Sequence, residues 1–157
     1  MDRFGFQRRD VNFFPAPRGH GDASAWVTAH YASDLIVQAR ATRNQANLGF
    51  LAVIDGDNRG LLARMRQLCG QPDERDAADR IAIWVPTWSI ETWLLWLNGD
   101  HAIDESTSFK NRVADDQQGR RLAKNAAEAW DPAHPEESES LPSLAAARIE
   151  LLRLPGV

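Results

Sequence analysis

The chain has 157 residues, 43% apolar and 25% charged, which fits one domain with a core of its own. A formal net charge of −4 excludes an overall basic, nucleic-acid-coating character, although an acidic protein can still carry a basic groove. The single cysteine, Cys69, excludes an internal disulfide framework and cysteine-clustered zinc; no run reaches transmembrane length, and "MDRFGFQRRD" lacks the apolar stretch of a signal peptide, so a cytoplasmic protein without a membrane anchor is expected.

In chain order, "VNFF" (Val11 to Phe14) is a short strand candidate, and "PAPRGHGDAS" after it is a loop rich in Pro and Gly. A helix is expected from about Ala23 to Arg43, capped by Asp22 or Ser24, with Val27, Tyr31 and Leu35 at helical spacing. Leu48 to Ile54 is an unbroken apolar run, the pattern of a strand buried on both faces of a parallel sheet. Leu61 to Cys69 predicts a short amphipathic helix, with Leu61, Met65 and Leu68 inward and Arg64 and Arg66 outward. "GQPDERDAAD" predicts a solvated loop, and "RIAIWVP" another buried strand stopped by Pro86. "SIETWLLWLNG" predicts a helix with Ser89 as N-cap, an inward stripe of Ile90, Trp93, Leu94 and Leu97, and Gly99 as its stop. "DHAIDESTSFK" is irregular, about Arg112 to Trp130 a polar helix, and "DPAHPEESES" an acidic linker; "LPSLAAARIELLRL" is a final helix with Pro142 in its first turn.

The alternation of three strands with helices predicts an α/β fold: a small parallel sheet with flanking helices, Rossmann-like layering and extra C-terminal helices. Residues 1–130 form the α/β domain, and residues 131–157 add the linker and a helix that packs on it.

In open parallel sheets, ligands bind beyond the carboxyl ends of the strands. The first strand exits into Arg18-Gly19-His20-Gly21, the second into Asp55-Gly56-Asp57-Asn58-Arg59, and the third through Pro86 into the helix carrying Glu91. Asp55 and Asp57, two apart in extended chain, point the same way and repel unless a cation lies between them. Mg2+ or Mn2+ prefers such oxygen ligands, and Gly56 lets the backbone or a ligand come close. Plainer roles remain open for every member. Aspartates form turns and caps, Glu91 suits a helix dipole, the glycine turn connects strand to helix, and Arg18 and Arg59 suit solvent. Trp84, Trp88, Trp93 and Trp96 suit core packing better than base stacking, and Lys110, Arg112, Arg120, Arg121 and Lys124 suit a solvated face interrupted by Asp115 and Asp116.

A calcium loop fails here, because Arg59 and Arg66 stand at its fifth and twelfth positions. A haloacid-dehalogenase-like phosphatase fails too, since Asn58-Arg59 follows the aspartates and a strand-helix unit precedes them. The combination "LAVIDGDNRG", "RIAIWVPTWSIETWLLWLNG" and "DESTSFK" resembles TOPRIM-like proteins of the bacterial and phage type related to the OLD-family nucleases, over roughly residues 11–112. The matching positions are Asp55 and Asp57, then Val85-Pro86 and Ile90-Glu91-Thr92-Trp93. The resemblance implies Mg2+ held by Asp55 and Asp57, with Glu91 as a third ligand or as the group orienting a metal-bound water. It implies Arg18, Arg59 and Lys110 on phosphate, and hydrolysis of nucleic acid, DNA first, in a phage-defence or mobile-element setting with an ATPase partner. A TOPRIM domain opens with a strand ending in glutamate, followed by a helix. That unit has no counterpart here, so an N-terminally incomplete domain is expected, its bare edge covered by a partner or by a homo-oligomer contact. A non-catalytic, degenerate module of the same fold, binding protein or nucleic acid, is the alternative.

Overall fold

The computed structural model of the chain describes residues 12, 14–16, 23–57, 59–70, 75–129 and 140–156. α1 (Ala23–His30) runs through a π-helical stretch, Tyr31–Ile36, into α2 (Val37–Ala41). The inward residues Tyr31 and Ile36 are five apart, the spacing that a π turn brings onto one face. Thr42 ends the helix: its N–H and its hydroxyl both donate to the Gln38 carbonyl, at 3.1 and 2.8 Å. Asp22 lies outside the described residues, and Ser24 stands inside the helix with its hydroxyl directed to Asp57 at 3.4 Å.

β1 (Phe50–Val53) leads through α3 (Gly60–Cys69) and a 3-10 turn, Ala77–Asp79, to β2 (Ile81–Trp84). The strands pair parallel in the register Phe50 with Ile81, through Val53 with Trp84. α4 (Ile90–Leu97) follows, then a 3-10 turn at Lys110–Arg112, α5 (Asp116–Ala129) and α6 (Pro142–Leu151). The class is α/β, a small parallel sheet flanked by helices. Two strands pair among the described residues, where three were expected. The third candidate, Val11 to Phe14, lies largely outside them; of its members Asn12 and Phe14 are described, in no regular element, and Phe14 is exposed.

One sheet face buries Ala52, Ile54, Ile81, Ile83 and Val85 against Tyr31, Ile36, Ala39, Leu68 and Cys69. The other holds a second core of Trp93, Trp96, Leu141, Leu144, Ala147 and Leu151, with Trp84 packed on it and edge-on to Trp93. Each fully buried aliphatic side chain contributes about 1.5–3 kcal/mol, so β2, enclosed on both faces, anchors the molecule. β1 departs from the expected double burial. Leu51 and Val53 are 40% and 43% exposed, while α6 packs on β2 and Trp93 of α4 meets Trp84 at its end.

The edge of β2 away from β1 is closed by side chains rather than by a strand. The Arg75 guanidinium donates to the Ile81 carbonyl at 3.1 Å, and the Ile83 N–H donates to Glu150 Oε2 at 3.0 Å. Arg75 and Glu150 also pair with each other, Nη2 to Oε1 at 3.1 Å. Arg75 thus corrects the expectation of a wholly solvated loop after α3, and so does Asp79, 1% exposed. Burial alone raises the Asp79 pKa. The Asp76 N–H, the Arg43 guanidinium and the charge of Arg40 outweigh it and hold the carboxyl below the ordinary range. Gly99, at φ +96°, stops α4 as expected. Among the described residues, no helix is long and apolar enough to cross a membrane.

Candidate metal and phosphate site

β1 delivers Asp55 and Gly56 against the loop between β2 and α4. The Gly56 N–H donates to the Pro86 carbonyl at 2.8 Å, and the Asp57 N–H to the Trp88 carbonyl at 2.9 Å. A Cβ on Gly56 would lie 2.2 Å from the Thr87 oxygen and 2.6 Å from that of Pro86. Glycine is therefore required for backbone approach, and it sets the two aspartates beside the start of α4. Asp57 itself turns left-handed, at φ +48°, which costs an aspartate less than most residues.

Ser89 holds the N-cap position of α4 in extended conformation, but its hydroxyl caps nothing. The Asp55 carboxylate lies near the Ile90 N–H, which favours its charged form. Burial pushes the Asp55 pKa up; Lys110 pulls it down, Glu91 and Asp57 push it up again, and the Ile90 N–H draws it down, with a net rise. Lys110 Nζ stands 3.9 Å from Asp55 Oδ2. Glu91 adds a second strain, since its Oε2 is buried with no hydrogen-bond partner among the described residues. A buried carboxylate oxygen without a donor is costly in a neutral surrounding and favourable beside a cation.

Asp57 is in a different condition. Its Oδ2 accepts from Arg64 Nη2 at 3.0 Å and from the Ser24 hydroxyl. Arg64 was expected in solvent and is instead 4% exposed, with Nε on the Asp55 carbonyl and Nη1 on Gln67 Oε1, each at 3.0 Å. The sequence carried a signal for this. Arg64 lies three residues after Leu61 and four before Leu68, on the inward stripe of α3. Glu105 was missed as well. It accepts the Ser143 N–H at 3.0 Å and the Ser143 and Thr87 hydroxyls, and its carbonyl accepts Trp88 Nε1 at 3.1 Å.

The structure thus groups Asp55, Asp57, Glu91 and Lys110. Arg59 is exposed and reaches Gln67 on α3 at 3.5 Å, while Arg18, Gly19, His20 and Gly21 lie outside the described residues. Trp93 and Trp96 are core residues, as expected. Among the described residues, no three His, Cys, Asp or Glu side chains stand close enough to form a ready coordination sphere. The donor set that fits a hard cation is smaller, Asp55 and Glu91. Mg2+ is commonly bound by one or two carboxylates, waters and substrate phosphate. The chain matches no protein-family model, no curated protein and no solved structure, so the chemistry must be read from these residues alone.

Proposed function

We propose that this chain is a TOPRIM-like, Mg2+-dependent phosphodiester hydrolase domain acting on nucleic acid, with DNA the first substrate to test. One observation carries the reading: a carboxylate raised by burial and by two acidic neighbours, Asp55, sits beside a buried glutamate oxygen with no donor, Glu91 Oε2. Asp55 and Glu91 would hold the cation, Mg2+ or Mn2+, which would activate a water and offset phosphate charge. The Gly56 and Asp57 N–H groups hold the turn on the loop before α4, so the site would be tied to the sheet. Lys110, 60% exposed, is placed to leave Asp55 for a phosphate, and Arg59 and Arg18 are assigned to the same task. Asp57 orients the turn through Arg64. A phage-defence or mobile-element role, an ATPase partner, a homo-oligomer and a cytoplasmic setting belong to the same reading and rest on the resemblance and on the single cysteine.

The pairing of Asp57 with buried Arg64 favours a second reading, a non-catalytic module of the same fold that binds nucleic acid or a protein. Mn2+ binding followed by electron paramagnetic resonance tests the site. Wild type binds, Asp55→Asn and Glu91→Gln lose binding at least tenfold, and Asp57→Asn keeps it within a few fold. Equal, weak binding by wild type and Asp55→Asn removes the metal site. Metal binding without Mg2+-dependent cleavage of plasmid or single-stranded DNA leaves the second reading.

A further inference from the structure

The acidic balance of the chain is reversed over one stretch. Residues 110–129 hold five cations, Lys110, Arg112, Arg120, Arg121 and Lys124, against Asp115, Asp116 and Glu128, whereas the whole chain has 18 Lys and Arg against 22 Asp and Glu. All five cations are exposed. Lys110 faces Asp55, and Arg112 faces Asp100 at 2.7 Å while lying over the Phe109 ring at 5.8 Å. Arg120, Arg121 and Lys124 make no ion pair among the described residues, although Asp116 and Glu128 stand one helical turn from Arg120 and Lys124.

Lys110 and Arg112 run outward from the site, and Arg120, Arg121 and Lys124 lie on the exposed side of α5, opposite its buried Ala126. Lys110 reaches Asp55, which lies near the start of α4, and Arg112 reaches Asp100 just past the end of that helix. α5 is fastened at the same far end: Asn98 Nδ2 donates to the Leu122 carbonyl at 2.9 Å, and Asn125 Nδ2 donates to Asn98 Oδ1 at 3.0 Å. The eight residues of α4 span about 12 Å, which matches three to four phosphates of one duplex strand at roughly 3.4 Å per charge.

We infer that Lys110, Arg112 and the Arg120, Arg121, Lys124 face of α5 form a phosphate track that leads one nucleic-acid strand to Asp55 and Glu91. The inference rests on the proposed nucleic-acid function and assigns it a path. The track contributes sequence-independent affinity, and Phe109 with Arg112 offers a stacking surface for one base beside the site.

The experiment measures binding of a labelled 20-nucleotide single strand and of its duplex by fluorescence anisotropy in EDTA, over a range of salt. The proteins are the full wild-type chain, the triple variant Arg120→Ala/Arg121→Ala/Lys124→Ala, and, as control, Arg66→Ala, which removes an exposed cation of α3 outside the track; circular dichroism verifies their fold. The triple variant is expected to bind more than tenfold more weakly at low salt, with a slope of log K against log salt smaller by about two to three. Arg66→Ala is expected to keep the wild-type slope to within about one unit. Unchanged binding by the triple variant, or no binding of nucleic acid by wild type, overturns the track. So does a wild type that binds anionic vesicles or an acidic peptide in preference to nucleic acid. Loss of binding in the triple variant, in a protein that binds no Mn2+, supports the track and removes only the metal chemistry.

Discussion

α4 and α6 begin beside the same loop, and each receives a carboxylate from far along the chain. At α6 it is Glu105, accepting the Ser143 N–H and the Ser143 and Thr87 hydroxyls. Ser143 Oγ accepts from Trp93 Nε1 at 2.8 Å and from the Thr87 N–H at 3.2 Å, so the second core is joined to the cap. At α4 it is Asp55, with the Ile90 N–H nearby, a lysine 3.9 Å away, and Glu91 and Asp57 beside it. Both carboxylates are half-buried. The difference is the supply of donors. Glu105 is saturated and acts as structure. Asp55 is short of positive charge, which stability alone would not favour and which the proposed cation would supply.

The comparison can be broken at its common hinge. Gly56→Ala drives a methyl into the Thr87 and Pro86 carbonyls and separates the site from both helix starts; a loss of at least about 3 kcal/mol is expected in urea unfolding. Glu105→Ala leaves the α6 start and two hydroxyls without an acceptor, and about 2–4 kcal/mol is expected to be lost. The matching change at α4 has the opposite sign. Asp55→Asn removes a charge that the fold disfavours, so its melting temperature at neutral pH is expected above that of wild type.

The pH dependence sharpens the same point. The folded-state pKa of Asp55 is raised, so the native state binds the proton more tightly than the unfolded chain. Wild type and Asp55→Asn are expected to match at about pH 3. Wild type then loses ground as pH rises from the ordinary Asp value, near 3.9, through the folded value, and the gap is constant above it. The smallest effect is that of Lys110→Ala. Stability is expected to change by less than about 0.5 kcal/mol, because Lys110 is exposed and the contact is long, while the Asp55 carboxyl, followed by NMR, titrates at higher pH than in wild type.

The strands and helices that carry the site were legible because their patterns are local. The apolar runs gave β1 and β2, Pro86 and Gly99 punctuated α4, and Pro142 began α6. The grouping of Asp55, Asp57 and Glu91 followed from one rule about strand ends. The pairings of those residues were not legible. Arg64 was on the inward stripe of α3, but a charge there was read as solvent-facing, since nothing local announces that Asp57 and the Asp55 carbonyl will meet it. Glu105 and Ser143 are 38 residues apart, and Arg75 and Glu150 are 75 apart. Such contacts exist only after the chain has closed on itself, so no periodicity records them.

Arg75 and Glu150 also give the sheet a direction of growth. With the far side of β2 engaged by a guanidinium and a carboxylate, a further strand added there would have to displace a buried ion pair first. Addition is therefore directed to β1, whose alternate N–H and carbonyl groups at Leu51 and Val53 point away from β2. Any strand joining this sheet, from this chain or another, would lie alongside Asp55 and would carry its own side chains to the mouth of the site.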